Sequence, residues 1–172
     1  MADAGDGSVI DAAALRAEFA GLAEAYRMSW QLVGLDERPR DPELGGPVPY
    51  VCEDDDGRGS LRVLNKKRVI QCALSRICAV CGETLDHPLV LLGTREELDR
   101  MEFHVPPVHE ACGEAVAAAV VGAPFGVLGQ DGPVERWVLV STGGFEHERP
   151  QRFDPDLRPR FRPNRLLSTR EV

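Results

Sequence analysis

The chain has 172 residues, a formal net charge of −8, 43% hydrophobic and 28% charged residues. This is the composition of an ordinary globular chain of about one domain, and its negative charge argues against generic binding to phosphate backbones. No run of about 18 apolar residues is long enough to cross a bilayer, and the acidic, Ala-rich start lacks the basic and apolar regions of a secretion signal. The expectation is therefore a cytoplasmic protein with no membrane partner.

Residues 1–8 are small and polar, and residues 1–10 are expected to be a flexible N-terminus. From Asp11 the pattern turns helical: Leu15, Phe19, Leu22, Tyr26 and Trp30 recur at steps of three or four and form one apolar stripe. This predicts an amphipathic helix that docks on the core, with a partner-binding or dimerising helix as the alternative. Residues 35–60 are interrupted by Pro and Gly and carry the acidic run Glu53-Asp54-Asp55-Asp56. The run lacks the alternate spacing and distant bidentate Glu of a calcium loop, so it reads as a solvated turn. Short strands are expected at Val48–Cys52 and Ser60–Leu64.

Asn65 can cap a helix running through Ile77. The triplet Lys66, Lys67 and Arg68 falls in its first turn, where cations oppose the helix dipole at a cost of about 0.3–1 kcal/mol. Either the helix starts later, or the triplet serves an anionic partner. Pro88–Leu92 reads as a buried strand, and Thr94-Arg95-Glu96-Glu97 is a capping box for a short helix over 95–102. Pro106-Pro107 introduces a second, Ala- and Val-rich helix over about 108–121. A hairpin is expected from 125–128 and 134–141 around Gln130-Asp131-Gly132.

Residues 146–172 hold seven Arg and four Pro with few apolar anchors. Such a segment is expected to be a flexible tail, because it buries too little surface to offset chain entropy. Residues 149–172 carry a net +4, from seven Arg against Asp154, Asp156 and Glu171, which leaves −12 for residues 1–148.

Five cysteines form no evident disulfide framework, and clustered cysteines of this kind suit metal ligation better than bridges. Four of the nine Cys and His residues fall in two pairs of ligand spacing, Cys78-x2-Cys81 and His109-x2-Cys112. Three sulfurs and one imidazole complete a tetrahedral Zn2+ set of the closed, structural kind. The two alternatives are ordinary buried thiols and an iron–sulfur cluster. Cys72 is either a buried small residue or a substitute ligand; Cys52 stands apart from the site.

A turn, a strand region and a ligand-bearing helix, in that order, resemble a treble-clef zinc finger. The matching residues are Cys78-Ala-Val-Cys81-Gly82 and Pro107-Val-His109-Glu-Ala-Cys112. The same stretch, about 78–121, is similar to small zinc-finger proteins of high-GC bacteria and their phages. The resemblance implies a small α+β fold around a structural zinc, within a single domain over 11–145, and does not imply an activity. Treble clefs also scaffold His-Asn-His nucleases, and Asp86-His87-Pro88 is similar to their base pair. However, it lies only five residues after Cys81, and the later Asn and His of that motif are missing from 113–125.

No phosphate loop, nucleophile elbow or dinucleotide fingerprint is present. Glu110 and Glu114 read as solvent-facing helix residues and His104 as a satisfied structural histidine. The leading functional reading is a non-enzymatic zinc protein that binds another macromolecule, a protein first. The alternative is a nucleic-acid-associated regulator using Lys66, Lys67, Arg68, Arg158, Arg160, Arg162 and Arg165 on phosphates. A small enzyme, such as a degenerate nuclease of the His-Asn-His type, is the third.

Overall fold

The structure, a computed structural model, describes residues 33–172. The helix expected over 11–30 and the flexibility expected of residues 1–10 lie outside the described residues. Within them the fold is α+β, with three helices and five strands. In chain order these are α1 (Lys66–Ser75), β1 (Leu89–Gly93), α2 (Arg95–Arg100), α3 (Glu110–Val120), β2 (Val138–Thr142), β3 (Phe145–Glu148), β4 (Arg160–Pro163) and β5 (Leu166–Glu171).

Strands β1, β2 and β5 make an antiparallel sheet with β2 in the centre. Leu91 faces Val140 on one side of β2, and Thr169 faces Val140 on the other. Every residue of β1 is buried and every residue of β5 is exposed. The apolar run Leu89-Val90-Leu91-Leu92 therefore forms a fully buried edge strand, bridged by Val108. β5 makes the outer edge, where its Ser, Thr and charged residues discourage pairing with another chain. Helix α3 packs on β1 and β2. Its approach is close because Gly113 has no side chain: a Cβ there would stand 2.7 Å from Leu139 Cδ2.

The capping box of α2 forms as expected. Thr94 Oγ1 accepts from the Glu97 backbone N–H, and Glu97 Oε2 accepts from that of Thr94 at 2.7 Å. Asn65 caps α1 by accepting from Lys67 N at 3.0 Å. The helix begins at Lys66, so the basic triplet does sit in the first turn. What offsets the dipole there is the acidic run: Asp55 pairs with Lys67 at 2.5 Å, and Glu53 lies 3.9 Å from Arg68. The run is also a turn, as expected, with Asp54 Oδ1 accepting from the N–H groups of Asp56 and Arg58.

Several sequence expectations are corrected. Residues 48–52 end in a 3-10 turn, Tyr50–Cys52, and 60–64 form no strand. The hairpin expected over 125–141 does not exist. Residues 125–137 are turns and irregular backbone, and β2 pairs instead with β1 and β5, distant in sequence. The flexible tail expected over 146–172 is a folded part of the domain. β4 pairs with β3, with His147 opposite Phe161, and β5 pairs with β2. Phe161 is fully buried and exchanges both backbone hydrogen bonds with Phe103. One aromatic residue and a sheet ladder anchor a segment whose composition alone is too polar to fold. No helix among the described residues is long and apolar enough to cross a membrane.

Candidate metal centre

The first pair of ligands sits on a tight turn between α1 and β1. Cys78 N donates to Glu83 O at 2.7 Å and Gly82 N to Cys78 O at 2.9 Å, and an Ile77–Thr84 bridge closes the loop. Gly82 takes a φ of +80°, in the region that costs an L side chain about 1–2 kcal/mol. The second pair opens α3. His109 is its N-cap residue, with extended backbone, and Cys112 lies three residues on in the first turn. That spacing turns both side chains to one side. The two halves are held together by Ala79 N donating to Pro107 O at 3.0 Å, and Val108 N donating to Val90 O extends the junction into β1.

This folding brings Cys78, Cys81, His109 and Cys112 together, with all four ligand atoms within 4.8 Å of one another. Usual Zn–S and Zn–N lengths in a tetrahedron imply S···N separations of about 3.6 Å. His109 Nδ1 lies 3.4 Å from Cys81 Sγ and 3.9 Å from Cys112 Sγ. The other imidazole nitrogen, Nε2, is 2.9 Å from the carbonyl oxygen of Thr84. Nε2–H donating to that acceptor leaves the Nδ1 lone pair directed at the sulfurs, the tautomer a metal requires. The Cys78 sulfur accepts from the backbone N–H groups of Val80 and His109, each at 3.4 Å, as thiolate does at a turn and a helix N-terminus.

Charge in the cluster is strongly coupled. Hydrogen bonds from the Cys112 and Cys78 thiols pull Cys81 down to about 2. Cys112 is raised because its proton bridges to Cys78 and Cys81 and because it is buried. A bond from Cys112 lowers Cys78, but its interaction with Cys81 and its burial outweigh that and raise it. Crowded together, the three thiols oppose one another's ionisation, and a divalent cation is what lets all three ionise. The four residues fit a divalent, sulfur-preferring ion, and they form the one such group among the described residues.

Other residues singled out in the sequence fall elsewhere. Cys72 is buried in α1, and Cys52 is buried too; burial pushes both thiols up to about 12, and neither belongs to the four-residue group. Asp86 and His87 are exposed and make no hydrogen bond or ion pair with each other, so no base and orienter are assembled. Glu110 and Glu114 face solvent but both pair with Arg170. His104 is buried and only half satisfied: Nδ1 meets Pro159 O at 2.8 Å, while Nε2 has no hydrogen-bond partner and stands 4.0 Å from Glu97 Oε1.

The expected anion contacts are dispersed, and most are occupied. Lys67 and Arg68 are paired as described. Arg158 holds Asp156 and Asp131, Arg160 holds Glu148 and Asp154, and Arg162 holds Glu148 and Glu102. Lys66 and Arg165 form no ion pair among the described residues. This pairing is not legible in the sequence, because the acidic partners lie as far as 60 residues away.

Comparison with family models, curated proteins and solved structures returned no match.

Proposed function

We propose that this chain is a non-enzymatic protein, stabilised by one structural Zn2+ and acting in the reducing cytoplasm as an interaction or accessory module for another protein. The observation that carries the reading is the closed ligand set. Three sulfurs and Nδ1 of one imidazole converge, with His109 Nε2 and the Cys78 sulfur held by backbone groups, and four protein ligands leave zinc no open position for a reacting water. The treble-clef likeness belongs to the same proposal. The order of a ligand turn and then a ligand helix supports it, although β1 and α2 lie between them.

The nucleic-acid alternative draws less support. Of its seven cations, five are engaged by carboxylates of the same chain, and backbone phosphates would have to compete with partners already in place.

X-ray absorption on protein isolated with its metal tests the central point. Three sulfurs and one nitrogen at about 2.3 and 2.0 Å are expected; an oxygen in the first shell would mean an open, reactive site. Co-elution of the tagged chain with a protein from its own host is expected, and a clean monomer throughout would count against an accessory role. Salt-sensitive retardation of DNA or RNA would favour the alternative.

A further inference from the structure

A groove of about 530 Å3 lies between the outward face of α1 and the loop that leads into β4. Its floor is apolar, formed by Val63, Leu64, Ile70 and Leu157. It is an open trough: Val63 is 65% exposed and Leu157 54% exposed. These are large aliphatic surfaces left in water on a small domain, the kind of patch that marks an interaction site.

The rim is more telling. Arg62, Lys66, Arg149, Arg152 and Arg158 line the trough and no carboxylate among the described residues does, although Arg62 is paired with Glu43 and Arg158 with Asp131 and Asp156 outside it. This is an unusual concentration of positive charge in a chain of net charge −8. Lys66, Arg149 and Arg152 are exposed and form no ion pair among the described residues, whereas Arg160 and Arg162 of β4 are bound to Glu148, Asp154 and Glu102. Cations unpaired among the described residues, set around an apolar floor, have one matching complement, a segment that presents apolar residues on one face and carboxylates along its border.

We propose that this groove docks an acidic amphipathic peptide segment of a partner protein. The assignment rests on the accessory-module reading above and specifies its surface: apolar anchors of the partner at i, i+3 or i+4 and i+7 settle on Val63, Ile70 and Leu157. Its Asp and Glu residues meet Lys66, Arg149 and Arg152. It also explains why a basic residue stands at position 66, where it opposes the helix dipole and, unlike Lys67, has no acidic partner among the described residues.

Selection from a displayed library of random 16-residue peptides tests the idea. The bait is the full-length, zinc-loaded protein, with counter-selection against a Val63→Asp/Lys66→Glu variant. Both positions are exposed, so the variant keeps its fold, which amide protection of β2 verifies. Peptides of net negative charge with a helical apolar repeat should be enriched. Their affinity should fall at least about tenfold on Val63→Asp and on Arg149→Glu separately, and should weaken as salt rises.

The proposal is overturned if no groove-dependent peptides emerge or if those enriched are neutral or basic. Three other occupants would also overturn it. An oligonucleotide that competes for the groove would replace the peptide. Self-association abolished by Val63→Asp would assign the groove to a second copy. Amide protection of residues 11–30 lost in the groove variant would assign it to the chain's own amino-terminal segment. A native protein partner that binds the Val63→Asp/Lys66→Glu variant unchanged would sink the groove assignment alone and leave the accessory role intact.

Discussion

Replacing Gly82 with Ala probes the ligand turn directly. Gly82 has a φ of +80°, and a Cβ built there lies 2.9 Å from Tyr50 Cδ2 and 3.2 Å from Cγ. The ring cannot easily yield. Its hydroxyl donates to Gln71 Oε1 and accepts from Arg68 Nη1, each at 2.6 Å, and the Arg68 guanidinium lies 4.4 Å from its centroid. The left-handed backbone costs Ala about 1–2 kcal/mol, of which about 0.4–1 is recovered from the stiffer unfolded chain. Crowding against the ring adds about 1–3 kcal/mol. A net loss of about 2–3 kcal/mol should lower Tm by about 5–10 °C in a chain of this size.

The assay is thermal unfolding of metal-loaded protein followed by circular dichroism. Gly45→Ala serves as the reference, because Gly45 also has positive φ (+69°) but nothing within 4 Å of its Cβ. Adding Tyr50→Ala should restore the crowding part, a coupling of about 1 kcal/mol or more. If Gly82→Ala shifts Tm no further than Gly45→Ala, Tyr50 does not brace the ligand turn.

The protein should carry one zinc per chain by elemental analysis, and strong chelation should unfold it, because ligand assembly and folding are coupled. Cys81→Ser and Cys112→Ser should lose the metal and most soluble protein. Asp41 is 3% exposed, and its carboxylate accepts from the backbone N–H groups of Leu44, Leu61 and Glu43. Burial acts to raise its pKa, but these bonds together outweigh it and hold it below 3.8. Its stabilisation should therefore be complete above the ordinary carboxylate range and disappear as pH falls through the lowered value. In urea titrations the gap between wild type and Asp41→Asn should narrow between neutral pH and about pH 3. Phe161→Ala should cost about 3–5 kcal/mol, and truncation after Asn164, which removes β5, should uncover an edge of β2 and produce aggregation visible by light scattering. A truncated chain that stays monomeric would contradict the tail's structural role.

The parts of this protein legible in its sequence are those governed by short-range chemistry. Asn65 and the Thr94–Glu97 box fix helix starts because a side chain reaches a backbone N–H two or three residues away. The ligand pairs are recognisable because two residues three apart can share one ion wherever the turn lies. What no window of sequence carried was the pairing of distant segments. Residues 146–172 look like a tail by composition, yet β4 and β5 find partners in β3 and β2. Arg160 and Arg162, which seemed available to phosphates, are occupied by Glu148, Asp154 and Glu102. The apolar trough beside Lys66 likewise exists only because α1 and the loop before β4 meet. Local propensity and ligand spacing are written residue by residue. The neutralisation of a charge and the burial of a ring depend on which remote segment arrives beside them, and only the tertiary fold decided that.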